Sequence, residues 1–237
     1  MRRVLKSYLP PKVVAALLKI KNGLIDPYRT SSYSQEGEDM ILRRIFEGQE
    51  TGFYVDVGAH HPKRFSNTYY FYKKGWQGIN IDAMPGSMHL FNKFRPRDCN
   101  LELGVSSRKG KSTYFIFDEP AFNSFNEELS GERVKNTECH LLKKTTVNTD
   151  RLDSILSAYL PNTPIDFMSI DVEGHEMEVL HSNNWDLFRP KYLLIELLNA
   201  DLDSIRTSQT HQFLINEGYK IFAKAYHTYF FVDDRGY

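Results

Sequence analysis

Apolar residues along this chain fall into short runs, and amphipathic stretches separate them. Runs at residues 53–57, 78–82, 101–106, 165–170 and 192–198 are five to seven residues long and rich in aliphatic and aromatic side chains, as buried strands are. Residues 40–46 repeat apolar positions at helical spacing (Met40, Ile41, Leu42, Ile45, Phe46), which predicts an amphipathic helix. Residues 66–74, 87–94, 152–160, 176–181 and 211–217 read the same way, with Gly75, Pro96, Pro161 and Gly218 as stops. Ser34 is the expected cap of the first helix, and Thr149 or Asp150 that of the helix at 152–160. Residues 112–117 form a further strand after a turn at 108–111, and 145–149 a short extended piece. Residues 219–223 and 229–232 are two strands with only a short connection between them. Alternating strands and helices predict a parallel sheet covered on both faces, and the terminal pair predicts an antiparallel hairpin at its edge.

The 237 residues suit one α/β domain with a sizeable core. Residues 1–30 stand apart, because Arg2, Arg3, Lys6, Lys12, Lys19 and Lys21 precede the first acid, Asp26. They are expected to form a basic helical extension that caps the domain or lies weakly on a membrane surface. Their apolar run at 13–18 is too short for a membrane span. The domain proper is expected over 31–237, with the polar, weakly periodic residues 120–143 as a lid insertion. Thirty basic and thirty acidic residues balance, so no global field attracts nucleic acid. Cys99 and Cys139 are too far apart for a zinc knuckle or redox pair, and the expected compartment is the reducing cytoplasm.

The chemistry concentrates in residues 53–84. A strand ending Asp56-Val57-Gly58 is followed by Ala59-His60-His61-Pro62, a helical stretch, and a strand ending in Asp82. That is a βαβ unit with one glycine turn and a carboxylate one crossover later, the usual mount for a nucleoside-bearing cofactor. A dinucleotide needs further glycines so that its pyrophosphate can lie on a helix N-terminus; here His60 and Pro62 occupy those places. S-Adenosylmethionine carries no phosphate. It needs a tight turn beside its amino-acid part and a carboxylate for its ribose hydroxyls, so the pattern favours this sulfonium cofactor.

Ser34-Gln35-Glu36-Gly37-Glu38-Asp39, Val55-Asp56-Val57-Gly58-Ala59-His60, Ser66-Asn67-Thr68, Gly75-Trp76-Gln77-Gly78 and Ile81-Asp82 resemble the FkbM family of methyltransferases, as do residues 149–156 and Ile170-Asp171-Val172-Glu173-Gly174-His175-Glu176. The resemblance runs from about Ser34 to Glu196; residues 1–30 lie outside it and 120–143 match it poorly. It implies a Rossmann-like class I methyltransferase fold, α/β with a seven-stranded mostly parallel sheet and a C-terminal antiparallel hairpin. It also implies S-adenosylmethionine-dependent O-methylation of a hydroxyl on a macrolide, sugar or polysaccharide, and a sugar or glycan hydroxyl is the expected acceptor. The candidate cofactor-binding residues are Gln35, Glu38, Asp56, Gly58, Ala59, Asn67, Asp82 and Ser106.

Methyl transfer to a hydroxyl requires the acceptor to be positioned and its proton removed. Ligands of open α/β sheets sit beyond the carboxyl ends of the strands, where Asp171 follows the strand at 165–170. Asp171, Glu173 and His175 are the candidate catalytic residues, with histidine best suited to proton removal near neutrality. Helix capping is the alternative role for the acids, a surface role that for His175. His60 and His61 are further candidate bases. Glu196, inside an apolar run, needs a partner or a strand-end position. Asp171, Glu173 and Glu196 could hold magnesium, but no spacing demands it, and a metal-free site is the expectation. Two other functions fit the fold: a nicotinamide-dependent sugar oxidoreductase, and a non-catalytic carbohydrate-binding protein.

Overall fold

The structure, a computed structural model, describes residues 28–198 and 201–235, with residues 10, 12, 13 and 26 besides. The chain divides into two units, Met1–Ser32 and Tyr33–Tyr237. The expected basic extension of residues 1–30 falls almost wholly outside the described residues.

The second unit is built on a seven-stranded sheet. In chain order its elements are α1 (Glu38–Ile45), β1 (Phe53–Val57), α2 (Tyr69–Lys74), β2 (Gln77–Asp82), α3 (Met88–Phe94) and β3 (Cys99–Glu102). A smaller three-stranded sheet follows, made of β4 (Gly104–Val105), β5 (Gly110–Phe117) and β6 (Leu141–Asp150), with α4 (Glu127–Asn136) between the last two. The chain then returns through α5 (Leu152–Tyr159), β7 (Phe167–Ile170), α6 (Glu176–His181), β8 (Tyr192–Glu196), α7 (Gln209–Asn216), β9 (Tyr219–Ala225) and β10 (Thr228–Asp233). The large sheet runs β3-β2-β1-β7-β8-β10-β9, and β10 runs opposite to the other six strands. Strand order reverses between β1 and β7, and ligands of doubly wound sheets bind at such a switch point.

Each inner strand is apolar on both faces because helices cover both. The two-residue period sorts its side chains: Phe53, Val55, Val57, Met168, Ile170, Leu193 and Ile195 join one core, whereas Tyr54, Phe167, Leu194 and Phe230 join the other. The second core is aromatic. Trp76 packs on Phe46 at 5.2 Å and Phe71 on Phe167 at 5.0 Å, beneath α1 and α2. Behind it Arg95, fully buried, bonds Asp98 at 2.8 Å, the Tyr54 hydroxyl at 2.9 Å and Thr68 at 3.0 Å. A buried guanidinium needs this many partners.

Three expectations are corrected, and the stretch at 120–143 gains its elements. The run at 101–106 is not one strand: β3 ends at Glu102 and the chain crosses into the small sheet, where a side chain on Gly104 would meet the Phe125 ring at 2.4 Å. The short piece at 145–149 is the end of a ten-residue strand whose lysine-bearing outer face hid its period. Residues 120–143 are structured, with a 3₁₀ turn at Pro120–Phe122 and α4 capped by Asn126, whose side chain accepts from the Leu129 amide at 3.0 Å. Capping of α5 comes from far along the chain: Ser182 Oγ accepts from the Leu152 amide at 3.1 Å and its carbonyl from Asp153 at 3.0 Å. Ser34 does receive an α1 amide, that of Asp39 at 3.2 Å, although Gly37 stands at the cap position itself.

Candidate active site

The carboxyl ends of β1, β2, β7 and β8 open into a cavity of about 320 Å³, closed on its far side by the small sheet and the residues after β5. Gly58, where β1 ends, has φ of +83°, and a Cβ there would lie 1.7 Å from the Asp171 carbonyl oxygen. Two strand ends abut at this point, which only glycine permits.

Asp82 closes β2 and is buried. One carboxylate oxygen accepts from the His60 amide and the other from the Met84 amide, both at 2.8 Å. Burial pushes its pKa up against these bonds. The carboxylate thus fixes the glycine turn while facing the cavity.

Opposite stands an acidic group. Asp171 and Glu173 follow β7 and Glu196 closes β8, so the strand-end position expected for Glu196 is the one observed. One oxygen from each of the three lies within 4.8 Å of the others, an arrangement that could also hold a metal ion. Burial, then the charges of Glu196 and Glu173, pushes the Asp171 pKa well above the carboxylate range, and burial pushes Glu196 up to about 7. Asp171 hydrogen-bonds Glu196, so near neutrality the pair shares a proton carried on Asp171. The second oxygen of Glu196 has no partner.

Glu173 is held by residues that sequence reading left as an insertion. Arg133 of α4 forms an ion pair with its carboxylate, Ser124 donates to its carbonyl at 2.6 Å, and Asn126 donates to the Gly174 carbonyl at 3.1 Å. These bonds hold Glu173 at φ +53°, a conformation a non-glycine residue adopts only under constraint.

Of the other candidates, Gln35 lines the cavity, and Glu38 and Asn67 line a small pocket beside it that Asp171 and Glu196 also reach. Glu38 accepts from Thr228 at 3.0 Å; Asn67 donates to Ser169 at 3.0 Å and its amide oxygen has no partner. Three candidates stand elsewhere. Asp56 points to the aromatic face and accepts from Thr68 at 2.6 Å, because it shares the face of Tyr54 two residues before. Ala59 packs on Met88 and Phe91. Ser106 lies past β4, its amide bonded to the Asp150 carbonyl at 3.0 Å. His175 also misses the cavity: its ring packs on Phe125 at 5.1 Å between centroids, and burial lowers its pKa. His60 lines the cavity, whereas His61 accepts two local amides, those of Lys63 and Arg64.

The sequence reading missed Arg64, Glu119, Tyr114 and Asn123. Arg64 pairs with Glu119 through two bonds of 3.2 and 3.1 Å across the cavity lining. No local spacing connects residues 55 positions apart, so nothing in the sequence signalled the pair.

A mostly parallel sheet, a glycine turn at its switch point and a carboxylate closing the next strand define a nucleoside-cofactor protein of the Rossmann-like class. The sequence matches the methyltransferase FkbM domain over residues 56–221, and the chain belongs to that family. It is therefore a methyltransferase, and the family's methyl donor is S-adenosylmethionine. No protein of curated function matches the sequence. Similar solved structures include monomeric WbdD, at 10% identity and TM-score 0.45 over 91% of this chain, of which the chain spans 44%. A precorrin-6y C5,15-methyltransferase from Geobacter metallireducens aligns at 10% identity and TM-score 0.40, over 87% of this chain and 93% of that one. An O-methyltransferase from Bacillus cereus in complex with SAH aligns at 10% identity and TM-score 0.39, over 94% and 91%. Among the described residues, no helix is long and apolar enough to cross a membrane.

Proposed function

We propose that this methyltransferase acts on oxygen, transferring the methyl group to a hydroxyl of a sugar or glycan. The carrying observation is the set of Asp171, Glu173 and Glu196 carboxylates at the cavity lining beside the glycine turn, with one oxygen from each within 4.8 Å of the others. In this reading Asp82 receives the ribose hydroxyls, Gly58 forms the turn at the methionyl end, and Gln35 and Asn67 flank the amino-acid part.

The acceptor oxygen attacks the methyl carbon in line with the carbon–sulfur bond, which breaks to leave S-adenosylhomocysteine. The hydroxyl proton passes to Glu196, whose pKa of about 7 suits a base at neutral pH. Glu173, anchored by Arg133, adds negative potential that favours the sulfonium. Glu196 replaces His175 as the base because the histidine ring lies behind Phe125. The acidic lining accepts hydrogen bonds, as a polyol acceptor requires, and the half-exposed Phe65 ring offers an apolar face to a sugar.

The test is incubation with methyl-labelled S-adenosylmethionine and a panel of neutral, amino and acidic glycans, with the product analysed by NMR. A methyl ether is expected. Label on nitrogen or carbon would overturn the reading.

A further inference from the structure

Tyr114 lies on β5 in the small sheet, outside the βαβ unit, yet it lines the cavity. Its ring is 7% exposed and packs with Ala83, the residue after Asp82, and with Phe125 at 4.7 Å between centroids. The Asn123 side chain stands beside the phenol and also lines the cavity. The amide oxygen of Asn123 is already taken by the Phe117 amide at 2.8 Å, and its NH₂ group, which reaches Met84 Sδ at 3.5 Å, has a second hydrogen left for Tyr114. Towards Asn123 the phenol oxygen can only accept, so its own proton remains to be donated.

Asp82 poses a matching requirement. An ionised carboxylate only accepts. A vicinal diol placed against it gives up its protons and leaves its own oxygens short of donors in a buried site. Arg64, the cation lining the cavity, is engaged with Glu119. Burial, then the charges of Asp82 and Glu173, hold the Tyr114 phenol protonated.

We propose that the Tyr114 hydroxyl is a second ribose-binding group, donating a hydrogen bond to a ribose oxygen whose proton goes to Asp82. The proposal rests on Asp82 as the ribose anchor. It makes the small sheet part of the cofactor site, with Asn123 as the residue that orients the donor.

The test is calorimetry of wild type and Tyr114→Phe with S-adenosylhomocysteine, adenosine, 2′-deoxyadenosine and 3′-deoxyadenosine. Phenylalanine keeps the ring against Ala83 and Phe125, so a structural role alone is preserved. The variant is expected to bind S-adenosylhomocysteine and adenosine about three- to tenfold more weakly, as loss of one hydrogen bond implies. One of the two deoxynucleosides is expected to bind both proteins equally. The adenosine-to-deoxynucleoside ratio is read within each protein, so a difference in folded fraction does not move it. Equal affinity of both proteins for S-adenosylhomocysteine would overturn the proposal, as would the same loss with both deoxynucleosides as with adenosine. Wild type that binds S-adenosylhomocysteine but keeps its affinity in Asp82→Asn would overturn the ribose anchor, and the Tyr114 proposal with it. If wild type binds none of these ligands, the cofactor reading itself falls.

Discussion

Replacing Glu196 by glutamine should stabilise the protein at pH 8, leave its stability near wild type at pH 5, and abolish most turnover. The carboxyl is pushed from an ordinary value near 4.5 up to about 7, chiefly by burial. An unfolded chain releases this proton near pH 4.5, whereas the folded protein holds it until about pH 7. The folded state thus binds more protons over that window, and stability falls as pH rises through it. At 1.36 kcal/mol per unit the full penalty is at most about 3 kcal/mol above pH 7, and solvent access lowers it to about 1–3. Glutamine does not titrate, and its carbonyl can still accept the Asp171 proton. For a domain of this size 1 kcal/mol moves the melting temperature by about 2–4 °C. The variant should therefore melt about 2–12 °C above wild type at pH 8 and within a degree or two at pH 5, as read by thermal unfolding followed by circular dichroism. Turnover should drop by about 10²–10⁴. An equal difference at both pH values, or a glutamine variant less stable at pH 8, would refute the burial argument.

Asp82→Asn should weaken S-adenosylhomocysteine binding by about 1–3 kcal/mol in calorimetry, since a charged acceptor is lost; undiminished affinity would remove the ribose assignment. Asp98→Ala strands the buried Arg95 guanidinium and should cost about 3–5 kcal/mol in urea unfolding. Arg64→Ala breaks a half-exposed pair and should cost less than about 1 kcal/mol in the same assay; similar losses in the two would contradict the burial contrast. Chelation of divalent ions with EDTA should leave methyl transfer within about twofold, because Arg133 and a shared proton already offset charge in the acidic group. Loss restored by magnesium would instead assign Asp171, Glu173 and Glu196 to a metal.

The parallel sheet was legible because β1, β2, β7 and β8 are buried on both faces, which leaves apolar runs broken only by single buried polar residues such as Asp56, Asn80 and Ser169. β6 was not, because one of its faces is solvated and carries Lys144, Thr146 and Asn148, while Lys143 interrupts the other. At the site, strand-end residues such as Gly58, Asp82 and Asp171 could be read from their place after a strand. Asp56 could not be separated from them: it lies in the same motif and differs only in pointing to the other face. His175 illustrates a further limit. Its chemistry suited a base, but only packing could show that Phe125 stands between it and the cavity. Asn123 and Arg133 come from the stretch with the least pattern and Tyr114 from a strand without clean alternation, and long-range pairing brings all three in.

Titration of the folded wild-type protein with S-adenosylhomocysteine tests the account most directly. Saturable binding at one ligand per chain is expected, weakened in Asp82→Asn and retained in Glu196→Gln. Wild type that is folded by circular dichroism yet gives no binding heat at several temperatures would contradict the claim that this cavity holds the methyl donor.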